Sequence, residues 1–142
     1  MQFDPENPIN KLCANGMLLE GEGKQEEAAK LFYQAWDEAS NSIEKFTAAH
    51  YVARHQGTIA AKLEWDIIAV KFAIQDNSQD VKAILPSLYL NIAKGYEDLN
   101  KFAEARENYQ LALGYTIYLP KDGYGSMITA GISKGIERVT GS

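Results

Sequence analysis

Apolar and small residues return along this chain at helical spacing, in paired segments separated by short polar breaks. Leu12, Gly16 and Leu19 stand at i, i+4 and i+7, one stripe of a helix. Gly21 and Gly23 end that stripe, since glycine suits a helix C-terminus and a tight turn. Ala28, Leu31, Phe32, Ala35 and Ala39 form a second stripe, which stops at Ser40, Asn41 and Ser42. A second pair starts at about Ile43 and runs through Phe46, Ala49, Tyr51, Val52 and Ala53 to a turn at Gln56 and Gly57. It resumes in Ile59, Ala60, Leu63, Trp65, Ile67, Ile68 and Phe72, apolar nearly all round, the pattern of a helix covered on both sides. A third pair holds Tyr89, Ile92, Ala93 and Tyr96, then a break at residues 99–102, then Ala105, Tyr109, Ala112 and Leu113. Near the C-terminus, residues 126–139 place Ile128, Ile132, Ile136 and Val139 along one face. Thr129, Ser133, Lys134, Glu137 and Arg138 are polar, so this segment predicts a closing helix with one wet face.

The pairs repeat one another. Ala28-x3-Phe32-x2-Ala35 is echoed by Ala61-x3-Trp65-x2-Ile68 and by Ala105-x3-Tyr109-x2-Ala112. Twelve residues before each leading alanine stands a small residue, Gly16, Ala49 or Ala93, which leaves room for two backbones to approach. Recurrence of this kind predicts an all-α fold, an α-α superhelix of three helix pairs plus a C-terminal capping helix, in one domain. The repeats fall at about 9–42, 43–75 and 86–119, with the capping helix at about 126–139. Ala61 and Ala105 are 44 residues apart where Ala28 and Ala61 are 33 apart. The excess sits at residues 76–85, read as a linker or as an early extension of the third pair's first helix. Ser78 or Asp80 would cap such an extension, with Pro86 inside it or marking the helix's true beginning.

These positions resemble the tetratricopeptide repeat, a family of 34-residue helix pairs. Tyr89, Ile92, Ala93, Tyr96, Asn100, Phe102, Ala105, Tyr109, Ala112 and Leu113 carry the resemblance in the third repeat. Leu12, Gly16, Leu19, Gly23, Ala28, Phe32 and Ala35 carry it in the first. The middle repeat departs from the pattern: Lys45 replaces a large apolar residue, Gly57 comes one place late and Ile68 replaces a small residue. The resemblance implies a concave groove lined by the first helix of each pair, which takes a peptide or partner helix. Projected onto this chain, the groove holds Asn10, Cys13, Ala14, Met17, Glu20, Phe46, Thr47, His50, Ala53 and Arg54 from the first two repeats. Ser87, Leu90, Asn91, Lys94, Glu97 and Asp98 come from the third. Chaperone-binding members hold a C-terminal carboxylate with lysine, arginine and asparagine. The matching positions here are Cys13, Met17, Thr47, Ser87 and Asn91, where only Asn91 is of the expected type, so no such tail binding is expected.

Composition narrows the function classes. A chain of 142 residues, 46% hydrophobic and 23% charged, is long enough to bury a core. The net charge is −5, and residues 1–42 carry eight acids against three lysines. That balance argues against a nucleic-acid partner. No apolar run reaches membrane-spanning length, and the first ten residues lack the basic flank and apolar stretch of a signal peptide, so a soluble cytoplasmic protein is expected. The lone Cys13 forms no intrachain disulfide.

Chemistry-bearing motifs are sparse. His50 and His55 lie five apart, about 140° around a helix, and do not share a face. No HExxH or CxxC spacing is present, and the short glycine pairs follow no strand pattern. The expectation is therefore no metal, no cofactor and no catalysis. It is a protein- or peptide-binding scaffold with Met17, Phe46 and Leu90 giving apolar contact and His50, Arg54, Asn91 and Lys94 giving polar selectivity. The alternatives are a homodimer that buries Tyr115, Tyr118 and Tyr124, and a small-ligand protein or enzyme.

Overall fold

A computed structural model describes residues 4–141. Among them the chain forms seven α-helices and one 3-10 turn, with no strand. The helices are α1 (Pro8–Gly21), α2 (Gln25–Glu38), α3 (Ser42–Ala53), α4 (Ile59–Ala73), α5 (Gln79–Asp98), α6 (Phe102–Gly114) and α7 (Gly123–Thr140), with the 3-10 turn at Thr116–Tyr118. Two compact units divide them, Met1–Asp76 and Asn77–Ser142. In the first, α1 packs on α2, α2 on α3 and α3 on α4, and α1 also meets α3. In the second, α5 packs on α6, α6 on α7, and α7 returns to α5. No helix among the described residues is long and apolar enough to cross a membrane.

Side-chain caps explain five of the helix starts. Asn7 accepts from the N–H groups of Ile9 and Asn10, with Pro8 in the first turn where its missing N–H costs nothing. Asn41, Thr58, Ser78 and Asp122 each accept from the N–H three residues on. The Ser78 cap starts α5 early, so the residues inserted between the second and third repeats are largely helical. Pro86 lies inside α5, buried, with no N–H to give the carbonyl of Lys82.

The remaining two starts, α2 and α6, follow the same turn. At the end of α1, the N–H of Gly23 reaches the Glu20 carbonyl and that of Lys24 reaches the Leu19 carbonyl. At the end of α5, Asn100 reaches Glu97 and Lys101 reaches Tyr96 in the same pattern. Both are Schellman caps, which need a left-handed residue. Gly23 has φ 80° and Asn100 has φ 60°. Replacing Asn100 by alanine is expected to lower stability by about 1 kcal/mol, since only glycine and asparagine enter this region at small cost. Asn100→Gly should leave stability unchanged or raise it, as urea midpoints will show.

The repeated residues form the cores. Ala28, Phe32 and Ala35 have no exposed surface and pack with Ile9, Cys13, Ala48 and Val52. Ala105, Tyr109 and Val139 are as fully buried in the second unit, where Leu90 and Ile136 lean on them. Ala112, Ile128 and Ile132 continue that core. Ala61, Trp65 and Ile68 of the middle repeat are only half-buried. The expectation that α4 is covered on both sides does not hold: Ile59 and Ile67 remain 47% and 39% exposed.

Candidate functional site

The first unit carries a cleft between α1 and α3. Asn10, Cys13, Ala14 and Met17 recur on one face of α1, and Thr47 and Tyr51, one turn apart, face them from α3. Together they enclose about 260 Å³. Burial pushes the Cys13 thiol up to about 11, so the sulfur is a neutral wall rather than a nucleophile. The Thr47 hydroxyl is spent on its own helix, donating to the Ile43 carbonyl. Tyr51 stacks on Phe32 with ring centroids 5.0 Å apart, which fixes the ring. Its hydroxyl donates to Met17 Sδ at 3.1 Å, a weak acceptor. Met17 is 46% exposed, so this wall of the cleft faces solvent.

The two ends of the cleft differ. Asn10 is shared with a second, polar cleft of about 490 Å³ that includes Asp4, Asn7, Glu44, Gln75 and Asp76. Glu44 there accepts from Asn7 Nδ2 at 2.9 Å and from the Ser40 N–H at 2.9 Å, and these bonds hold its carboxyl below the usual range. At the other end, Glu20 of α1 receives Arg54 at 3.0 Å and His55 Nε2 at 2.7 Å.

Of the seven residues expected to give apolar contact or polar selectivity, Met17 alone lines the α1/α3 cleft. Phe46 is 4% exposed and offers no surface, contrary to its expected role. His50 is half-buried between the rings of Phe46 and Tyr51. Burial lowers its pKa, with Asp66 opposing and Arg54 adding to the shift. Arg54 is committed to Glu20 and lies over the Tyr51 ring. Leu90 leans on the core of the second unit, Asn91 is exposed and Lys94 pairs with Asp98 on its own helix. Two of the tyrosines expected to be free for a homodimer are occupied: Tyr115 stacks on Tyr89, and Tyr118 takes Lys82 over its ring.

One polar cluster was not anticipated. Tyr109, fully buried, donates its hydroxyl to Glu97 at 2.7 Å, and Arg138 of α7 grips Glu97 at 2.9 Å and Tyr109 at 3.2 Å. Arg138 and the Tyr109 hydroxyl lower the Glu97 pKa, and burial followed by Glu97 pushes Tyr109 up to about 12. The arrangement echoes Glu20 and Arg54. In both units the glutamate three residues before the left-handed residue takes an arginine, Arg54 from just past the end of α3 and Arg138 from the last turn of α7. The recurrence of glutamate at that spacing was the available signal. These groups are held by ion pairs and hydrogen bonds within their own unit. Among the described residues no group of three or more His, Cys, Asp or Glu is placed to hold a metal ion. Comparison of the chain with family models, curated proteins and solved structures gives no match.

Proposed function

We propose that this chain is a non-catalytic binding module of the tetratricopeptide type, which docks a partner's peptide segment against the α1/α3 face of its first unit. The observation that carries the reading is the cleft itself. Asn10, Cys13, Ala14, Met17 and Thr47, five positions that the family resemblance assigns to a groove, line one cavity. At about 260 Å³ it falls below the roughly 300–1,000 Å³ typical of small-ligand pockets and suits a single anchoring side chain. Its walls are neutral, and the one hydroxyl not committed to backbone, that of Tyr51, is free to exchange a weak thioether acceptor for a peptide carbonyl.

Ala14 is exposed and sits on the cleft wall, so Ala14→Trp fills the cavity without entering the core. An end-capped peptide with one leucine between glutamines is expected to bind the native chain and to bind the variant at least about tenfold more weakly, with unchanged helicity. Equal binding to both proteins would sink the reading. A homodimer has less support, since Tyr115 and Tyr118 are already packed within their unit.

A further inference from the structure

The chemistry of the docked segment follows from the charges around the cleft, given the peptide-docking reading on which this step rests. We propose that the α1/α3 cleft takes a segment whose aliphatic anchor is flanked by lysine or arginine. The six residues lining the apolar cleft are all uncharged, and the polar cleft that shares Asn10 with it includes the carboxylates of Asp4 and Glu44 and, among the described residues, no lysine or arginine. Glu44 accepts from the neutral Asn7 amide and from Ser40, which hold it ionised without cancelling its charge.

Three cations of this unit are engaged elsewhere. Lys11 pairs with Glu6, Arg54 with Glu20, and Lys45 donates to the Trp36 carbonyl and lies over the Trp36 ring. The whole first unit points the same way. Residues 1–76 carry twelve carboxylates against seven lysines and arginines, whereas residues 77–142 carry seven of each. The chain's net charge of −5 therefore belongs to the unit that holds the cleft, and its field attracts a cationic segment and repels an acidic one. The two clefts share a wall at Asn10, so the acidic side begins at the edge of the anchor cleft itself.

The test uses the full chain and three labelled, end-capped peptides that differ only in the residues beside one leucine: lysine, glutamine or glutamate. Fluorescence anisotropy should rank them in that order, with at least about tenfold between the first and the last. The gap should shrink as salt rises from about 0.05 to 0.5 M. Glu44→Gln keeps an acceptor but removes a charge, and should narrow the preference. Asp4→Asn, at an exposed position, should do the same if the first variant folds poorly. Three peptides of equal affinity would overturn the charge preference and leave the docking reading standing. No binding by any of them would overturn both, as would lysine-flanked binding that Ala14→Trp does not weaken. A doubled solution mass with no peptide binding would assign the cleft to a second copy and overturn the proposal.

Discussion

Tyr109→Ala should destabilise the second unit by about 3–5 kcal/mol, the range for truncating a buried aromatic. Tyr109 has no exposed surface, touches Ala93, Ala105 and Val139 in one core, and closes a polar cluster at its tip. Tyr109→Phe separates the two contributions. It keeps the ring and deletes a hydroxyl that donates to a carboxylate, so the loss should be smaller, about 1.5–3 kcal/mol for a bond to a charged group. The difference between native protein and Tyr109→Phe should also depend on pH. Glu97 has a folded pKa below its unfolded value, so its contribution is complete above about pH 4.3 and disappears as pH falls through the lower folded value. Tyr109 is raised to about 12, so its contribution is complete below its unfolded value near pH 10 and lost as pH rises through about 12. Urea unfolding of both proteins at acid, neutral and alkaline pH should show the gap widest in between. A gap independent of pH would contradict this role for the cluster.

Gly16→Val should cost the first unit about 3 kcal/mol, the upper part of the overpacking range. A Cβ at Gly16 would collide with Cε1 of Phe32, a ring with no exposed surface that is stacked on Tyr51. Valine adds two methyl groups to that collision. Even alanine, which a helix interior prefers to glycine by about 1 kcal/mol, should give no gain here. Gly21→Ala is the control, because its Cβ would meet nothing within 4 Å. If Gly16→Val unfolds at the same urea concentration as Gly21→Ala, the close crossing of α1 and α2 is not what holds this pair together.

Much of the helical layout could be read from the sequence because the crossings demand particular sizes. Only a small residue at Gly16 admits Phe32, Ala93 shares a closed core with Tyr109, and small residues at these positions recur often enough to be visible as a period. The faint middle repeat corresponds to weaker burial: Ala61, Trp65 and Ile68 are half-exposed, and less restrictive packing leaves a weaker pattern. Pro86 left the course of α5 ambiguous because a proline both starts and interrupts helices. The Ser78 cap and the complete burial of Pro86 decide for a helix that passes through it.

The site was less legible, for a physical reason. Helical spacing tells which face a residue occupies, but not whether its charge is already matched. Arg54 and Lys94 looked available in sequence and are held by Glu20 and Asp98. Phe46 fell on the expected face yet lies in the interior. Tyr51 is not among the projected groove positions, yet its hydroxyl borders the cleft beside Met17. The pairing of Glu97 with Arg138 spans 41 residues, beyond the reach of any local pattern.

The most direct check on the cleft is a methyl NMR titration of the methionine-labelled chain with the lysine-flanked leucine peptide. Met17 lines the cleft in the first unit, and Met127, 62% exposed in the second, serves as an internal reference. The Met17 methyl signal should move saturably as peptide is added while the Met127 signal stays in place. Binding that leaves Met17 unmoved, or that shifts Met127 instead, would contradict the placement of the site on α1 and α3.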